Sequence, residues 1–109
     1  MLSEGLCFTN PKRAKRGKAM TTIYKYTLPN VGRNVLYLPD GAKVLTVQMQ
    51  GHAACLWAQV EPHKPTGRRF FDVYGTGHDM PADPGDYVAT IQMESGALVW
   101  HVFDSTRCA

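Results

Sequence analysis

From Thr22 onward apolar and polar residues alternate with a period of two, and no stretch carries the 3.6-residue period of an amphipathic helix. A period of two places alternate side chains on opposite faces of a strand, so this pattern restricts the chain to sheets. The clearest case is Val44 to Gln50, where Leu45, Val47 and Met49 form one face, expected to be core, and Thr46, Gln48 and Gln50 the other. Gly51-His52 suits a two-residue hairpin turn that needs positive φ, and Ala54 to Val60 returns with Ala54, Leu56, Ala58 and Val60 facing inward. Ile23–Leu28, Val35–Leu38, Arg69–Tyr74, Tyr87–Met93 and Leu98–Phe103 read as further strands, separated by turn signals such as Pro29-Asn-Val-Gly-Arg33, Pro39-Asp-Gly41 and Glu94-Ser-Gly-Ala97. The expected fold class is all-β: a small single-domain sandwich or barrel of about seven short, mostly antiparallel strands.

The 109 residues hold one domain, expected over residues 20–109 behind a basic leader of residues 1–19. The leader carries Lys12, Arg13, Lys15, Arg16 and Lys18 against Glu4 alone, while residues 20 onward hold seven basic and eight acidic groups, a net of −1. With few large apolar residues, residues 1–19 cannot offset their own ordering entropy and are expected to be disordered. A competing reading is that translation starts at Met20, because Lys15-Arg-Gly-Lys18 requires purine-rich codons where a bacterial ribosome-binding sequence would lie. The charge run also suits phosphate contacts, so nucleic-acid binding is an alternative for the leader. The near-neutral domain gives no reason to expect a polyanion partner.

Cys7, Cys55 and Cys108 cannot pair completely, show no C-x-x-C spacing and follow no secretory signal, so a reduced intracellular setting is expected. No apolar run approaches the ~20 residues that span a bilayer, and no membrane association is expected.

His52, His63, His78 and His101 match no H-x-H, H-E-x-x-H or Cys/His ligand spacing, so neither a metal nor a cofactor is expected. The long connection from Gly75 to Asp86 is the first place to look for a site, the other being Glu61 to Arg68. Within it Gly75, Thr76, Gly77, His78 and Asp79 are candidate ligand contacts, because glycine-assisted backbone amides can cradle an anion. No helix follows, since Pro81 and Pro84 do, and a sharp exit from the preceding strand explains the same glycines. A hydrolytic site could be drawn from Asp72, His78 and Asp79 with His78 as general base, yet no nucleophile elbow accompanies it. No catalytic residues are assigned, and the chain is expected not to be an enzyme. Tyr24, Tyr26, Phe71, Trp100 and Phe103 are read as core aromatics and His101 as a polar-side strand residue. Trp57 alternates with Cys55 and Gln59 opposite the chosen core face, so either a second layer covers it or it is a protein contact.

Ile23-Tyr-Lys-Tyr26, Leu38-Pro-Asp-Gly-Ala42, Val44-Leu45 with Val47 and Gln50, Leu56-Trp-Ala58, Phe70-Phe71 leading to Gly75-Thr-Gly-His78, and Trp100-His-Val-Phe103 stand in a fixed order from Met20 to Asp104. This set resembles a small domain-of-unknown-function family of tailed bacteriophages and prophages. The resemblance implies an accessory protein of about 85 residues in the cytoplasm of the bacterial host, virion association being open, and it transfers no catalytic residue. The leading expectation is a protein that binds a host or phage protein. A ligand-binding or hydrolytic role for the Gly75–Asp86 loop is the alternative.

Overall fold

The computed structural model describes residues 20–93 and 96–108; the basic leader falls outside them. Seven strands follow in order: β1 (Thr22–Leu28), β2 (Gly32–Pro39), β3 (Lys43–Gln50), β4 (Ala53–Val60), β5 (Thr66–Gly75), β6 (Asp86–Met93) and β7 (Leu98–Asp104), with a 3-10 turn at Thr106–Cys108. They form two antiparallel sheets, β1-β4-β3 and β2-β5-β7-β6, packed as a sandwich and not closed into a barrel. Among the described residues no helix is long and apolar enough to cross a membrane.

The β3–β4 hairpin turns at Gly51 with φ +66°, a conformation that costs an L-residue steric energy and glycine none. β4 places Leu56, Ala58 and Val60 at 1% exposure or less in the space between the sheets. Phe71, Val73 and Val102 face them from the other sheet, and complete burial of a side chain such as Phe71 is worth about 1.5–3 kcal/mol. The inward assignment of Leu45 is overturned: it is 44% exposed. The pairing of β3 with β4 slips between Val44 and Thr46, which makes Leu45 the extra residue of a bulge. Val44 takes the inward place before it, and Val47 and Met49 resume the core face after it. β2 and β5 also begin earlier than their apolar runs, at Gly32 and Thr66, because Pro39 pairs with Thr66 and Gly32 with Val73. The connection expected over Glu61–Arg68 is shortened accordingly.

The chain crosses between sheets at residues 29–31, where buried Asn34 supplies the missing hydrogen bonds. Its Nδ2 donates to the carbonyls of Asn30, Gly32 and Phe71, and its Oδ1 accepts from the Asn30 N–H. One end of the sandwich is closed by Arg69, which donates to the Ala42 carbonyl (3.0 Å) and to Asp104 (2.8 Å). Burial would raise the Asp104 carboxyl, but bonds from Thr106 and Arg69 outweigh it and hold the group below the ordinary carboxylate value. The opposite end stays open as an apolar pocket of about 390 Å³ walled by Leu28, Val31, Ala54, Ile91, Met93 and Trp100.

Candidate functional site

β5 ends in a four-residue turn from Gly75 to His78, closed by the His78 N–H donating to the Gly75 carbonyl at 3.0 Å. Gly77, third in the turn, has φ +88°, as a type II turn requires. The imidazole folds back: its Nδ1 accepts the Gly75 N–H at 3.2 Å, and the ring meets Trp100 edge-on at 5.9 Å. A Cβ at Gly75 would stand 2.7 Å from His78 Cε1 and 2.8 Å from Trp100 Cζ3, so the bare backbone is what lets both rings approach. Thr76 is tied to β7, its N–H donating to the Val99 carbonyl and its hydroxyl lying 2.7 Å from His101 Nε2. Asp79 is exposed just beyond the turn. Gly75, Thr76, Gly77 and His78 are thus brought together by bonds internal to the fold. The sketched partnership of His78 with Asp72 does not form, because His78 packs at the Trp100 end of the sandwich while Asp72 points from the opposite face of β5.

That opposite face holds what sequence reasoning missed. Alternation along four strands puts Arg33, Val35 and Tyr37 of β2, Arg68, Phe70, Asp72 and Tyr74 of β5, His101 and Phe103 of β7, and Tyr87 and Thr90 of β6 on one outer surface. Phe103, expected in the core, lies here between Tyr74 (6.0 Å) and Tyr87 (5.6 Å), both edge-on. The Arg33 guanidinium sits 5.0 Å from the Phe70 ring centre, with Arg68 at 5.8 Å. Arg33 also grips Asp72 through both carboxylate oxygens at 2.9 and 3.0 Å. This grip holds the Asp72 carboxyl below its ordinary value against the opposing effect of burial. The Tyr74 phenol is pushed up, by burial first and by the neighbouring Asp72 charge second. A polar string crosses the same surface: the Tyr87 hydroxyl is 2.7 Å from Thr90 Oγ1, which is 3.0 Å from His101 Nδ1. Both ring nitrogens of His101 are therefore engaged, and His101 lies on the polar side as expected. Of the large hydrophobic side chains on this surface Tyr37 and Tyr87 protrude most, at 60% and 61% exposure.

One signal was available in the sequence. β2, β5, β6 and β7 contain no Lys and no Glu, whereas the lysines of the domain are Lys25, Lys43 and Lys64. Arg and aromatic enrichment with Lys and Glu depletion is the composition of protein interface cores.

Trp57 stands on the outer face of the other sheet, half-buried, opposite Lys25 on β1 and Thr46 on β3. No third layer covers it among the described residues. Lys25 Nζ reaches across to Gln50 Oε1 at 2.6 Å. By register this link passes over the buried Cys55 two residues along β4 from Trp57.

Compared with known proteins, residues 20–108 match the family model described as Domain of unknown function (DUF7352). No curated protein and no solved structure matches the chain.

Proposed function

The chain belongs to the DUF7352 family, and from that premise we propose that it is a phage or prophage accessory protein acting by binding a protein of the host or phage, without catalysis. The phage setting rests on the ordered motif set between Met20 and Asp104. The binding reading is carried by one observation: the outer face of the four-stranded sheet is an ordered surface of aromatics and arginines that lacks Lys and Glu. Arg68, Phe70 and Phe103 fill its middle, while Tyr37 and Tyr87 stand at its margins.

A photo-crosslinking residue placed singly at Tyr37, Tyr87 and Gln48 tests this in lysate of the bacterial host. The expected result is one protein captured from Tyr37 and Tyr87 but not from Gln48 on the other sheet. Unlabelled wild type should compete it away, and a Tyr37→Asp/Tyr87→Asp variant should not. Equal capture from all three positions, or capture from Gln48 alone, overturns the reading.

A second reading, a small apolar ligand in the open end of the sandwich, is favoured by the indole of Trp100. It lines that pocket, and among the described residues its Nε1–H donates to the Met93 thioether, a weak acceptor, with an N···S distance of 3.0 Å. In a Trp57→Phe background, a saturable change in Trp100 emission on titration with 1-octanol would support it.

A further inference from the structure

The apolar pocket at the open end of the sandwich has one wall fixed at both ends. Trp100 lies across the inner face of the four-stranded sheet: a Cβ at Gly75 on β5 would stand 2.8 Å from its Cζ3, while its Nε1–H reaches the Met93 thioether on β6. The His78 ring, whose Nδ1 accepts the Gly75 N–H, meets the same indole edge-on at 5.9 Å. The turn from Gly75 to His78 therefore holds a flat apolar wall in place before any ligand arrives, as ligand pockets generally require. The other sheet contributes Ala54 near the start of β4, flanked in register by Leu28 and Met49. A methyl there, in place of a longer side chain, leaves the space open. From depth to mouth the lining changes character. Leu28, Val73 and Ile91 are buried, Val31 and Leu98 are 58% and 43% exposed, and the polar side chains of Thr27, Asn30 and His52 are all exposed. Among the described lining residues none is Asp, Glu, Lys or Arg.

We propose that this pocket takes a single unbranched aliphatic chain of about eight to twelve carbons ending in an uncharged head with an oxygen acceptor, an assignment that rests on the apolar-ligand reading of the same pocket. Volume sets the length. An apolar cavity of about 150 Å³ takes a six-carbon ring, and at that ratio about 390 Å³ holds roughly 15 carbons, fewer where the mouth is open. The walls favour a chain over a ring. Trp100 supplies the one indole or phenyl ring among the described lining residues, so a planar ligand finds no second ring to enclose it, while the Leu, Val, Ile and Met side chains adapt to a flexible chain. The mouth sets the head. The Trp100 Nε1–H has sulfur as its acceptor, and a hydroxyl or carbonyl oxygen offers it a stronger one. A charged head would lose hydration at a mouth whose described lining carries no opposite charge.

The test uses the full chain with Trp57→Phe, which leaves Trp100 as the emission reporter. 1-Hexanol, 1-octanol and 1-decanol should each give a saturable change, with Kd tightening about fourfold per added methylene. Octanoate and octylammonium should bind at least about tenfold more weakly than 1-octanol, and benzyl alcohol should bind no more tightly than 1-hexanol. Ala54→Leu fills the space from β4 and should abolish the 1-decanol response in a chain that still melts cooperatively. Ala54→Val, which adds less volume, is the companion variant should leucine disturb folding, and it should weaken 1-decanol about tenfold. No saturable response to any of the three alcohols overturns the apolar-ligand reading itself, and undiminished 1-decanol affinity in both Ala54 variants places the site elsewhere and does the same. Saturable binding that ignores chain length, a charged head bound as tightly as 1-octanol, or benzyl alcohol bound more tightly than 1-hexanol leaves that reading standing and overturns the assignment of a chain with an uncharged head.

Discussion

Replacing Gly85 with alanine should damage this fold more than the same change at any open glycine, because two separate costs add. Gly85 stands immediately before β6 with φ +102°, where an L-residue pays about 1–2 kcal/mol for the left-handed backbone. Its added Cβ would also run into the Asp104 carbonyl oxygen and lie 2.8 Å from Ser105 Cα. Those are backbone atoms, and they are not free to retreat: the Ser105 N–H is bonded to the Phe70 carbonyl and the Thr106 hydroxyl accepts the Phe70 N–H. Overpacking against a fixed neighbour adds about 1–3 kcal/mol, for a total near 2–5 kcal/mol. At about 4–8 °C per kcal/mol for a domain of this size, Gly85→Ala should lower Tm by roughly 8–40 °C. Gly77→Ala is the control, with φ +88° but open space around the new Cβ. It carries the backbone cost alone, roughly 5–15 °C by the same conversion. Thermal melts followed by far-UV circular dichroism, with urea titrations for the free energies, separate the two costs. If Gly85→Ala melts within about 2 °C of Gly77→Ala, the contact with the end of β7 is absent and the reasoning fails.

The bulge in β3 predicts that Leu45→Lys stays within about 0.5 kcal/mol of wild type in urea titration, whereas Val47→Ala, two residues on and 2% exposed, costs about 1–3 kcal/mol. Asp72→Asn should cost about 1–3 kcal/mol near neutral pH by weakening the two-pronged bond to Arg33. Because the folded carboxyl is depressed, its contribution is present above the unfolded value and lost as pH falls through the lower folded one, so the Tm gap between wild type and variant should hold from pH 5 to 8 and narrow below about pH 4. A chain beginning at Met20 should melt within about 2 °C of the full chain, since it keeps all seven strands of the described residues, the first of which starts at Thr22. In gel-shift titrations at physiological salt it should bind DNA weakly or not at all, given its net charge of −1.

The strands were legible because period two is local: each of the seven announces itself in four to eight neighbouring residues. The turns were legible where chemistry leaves one solution, as at Gly51. What failed was the inference from alternation to burial at Leu45. One inserted residue reverses the faces, and the compensating evidence, the pairing with β4, lies in another segment of the chain. The same limit put Phe103 in the core. A strand pattern says that Val102 and Phe103 point to opposite sides but not which side another sheet covers. Buried Asn34 was invisible for a related reason, since its partners at Asn30, Gly32 and Phe71 converge only once the chain has crossed between sheets. In the Gly75–Asp79 segment the sequence located a turn correctly, but only the structure shows His78 and Trp100 closing over Gly75.

The outer face of the four-stranded sheet gains its order from pairings that no local window contains. Phe70 lies beside guanidinium groups from Arg33 and Arg68, and Phe103 is flanked by the edges of Tyr74 and Tyr87. Arg33 is itself held by Asp72, and Tyr87 by Thr90. Each of these side chains therefore already occupies a fixed position before any contact is made. Immobilising a mobile side chain on association costs about 0.5–1.5 kcal/mol, a cost that this arrangement has largely met during folding. The rings in the middle of the surface are partly shielded by their neighbours, which limits indiscriminate apolar association, while Tyr37 and Tyr87 stand out at opposite margins as amphipathic handles. In the proposed binding role, a rigid aromatic centre with protruding tyrosines at its rim would select a partner by shape more than by net charge. That is the behaviour to expect of a surface on residues 20–109, whose net charge is close to neutral.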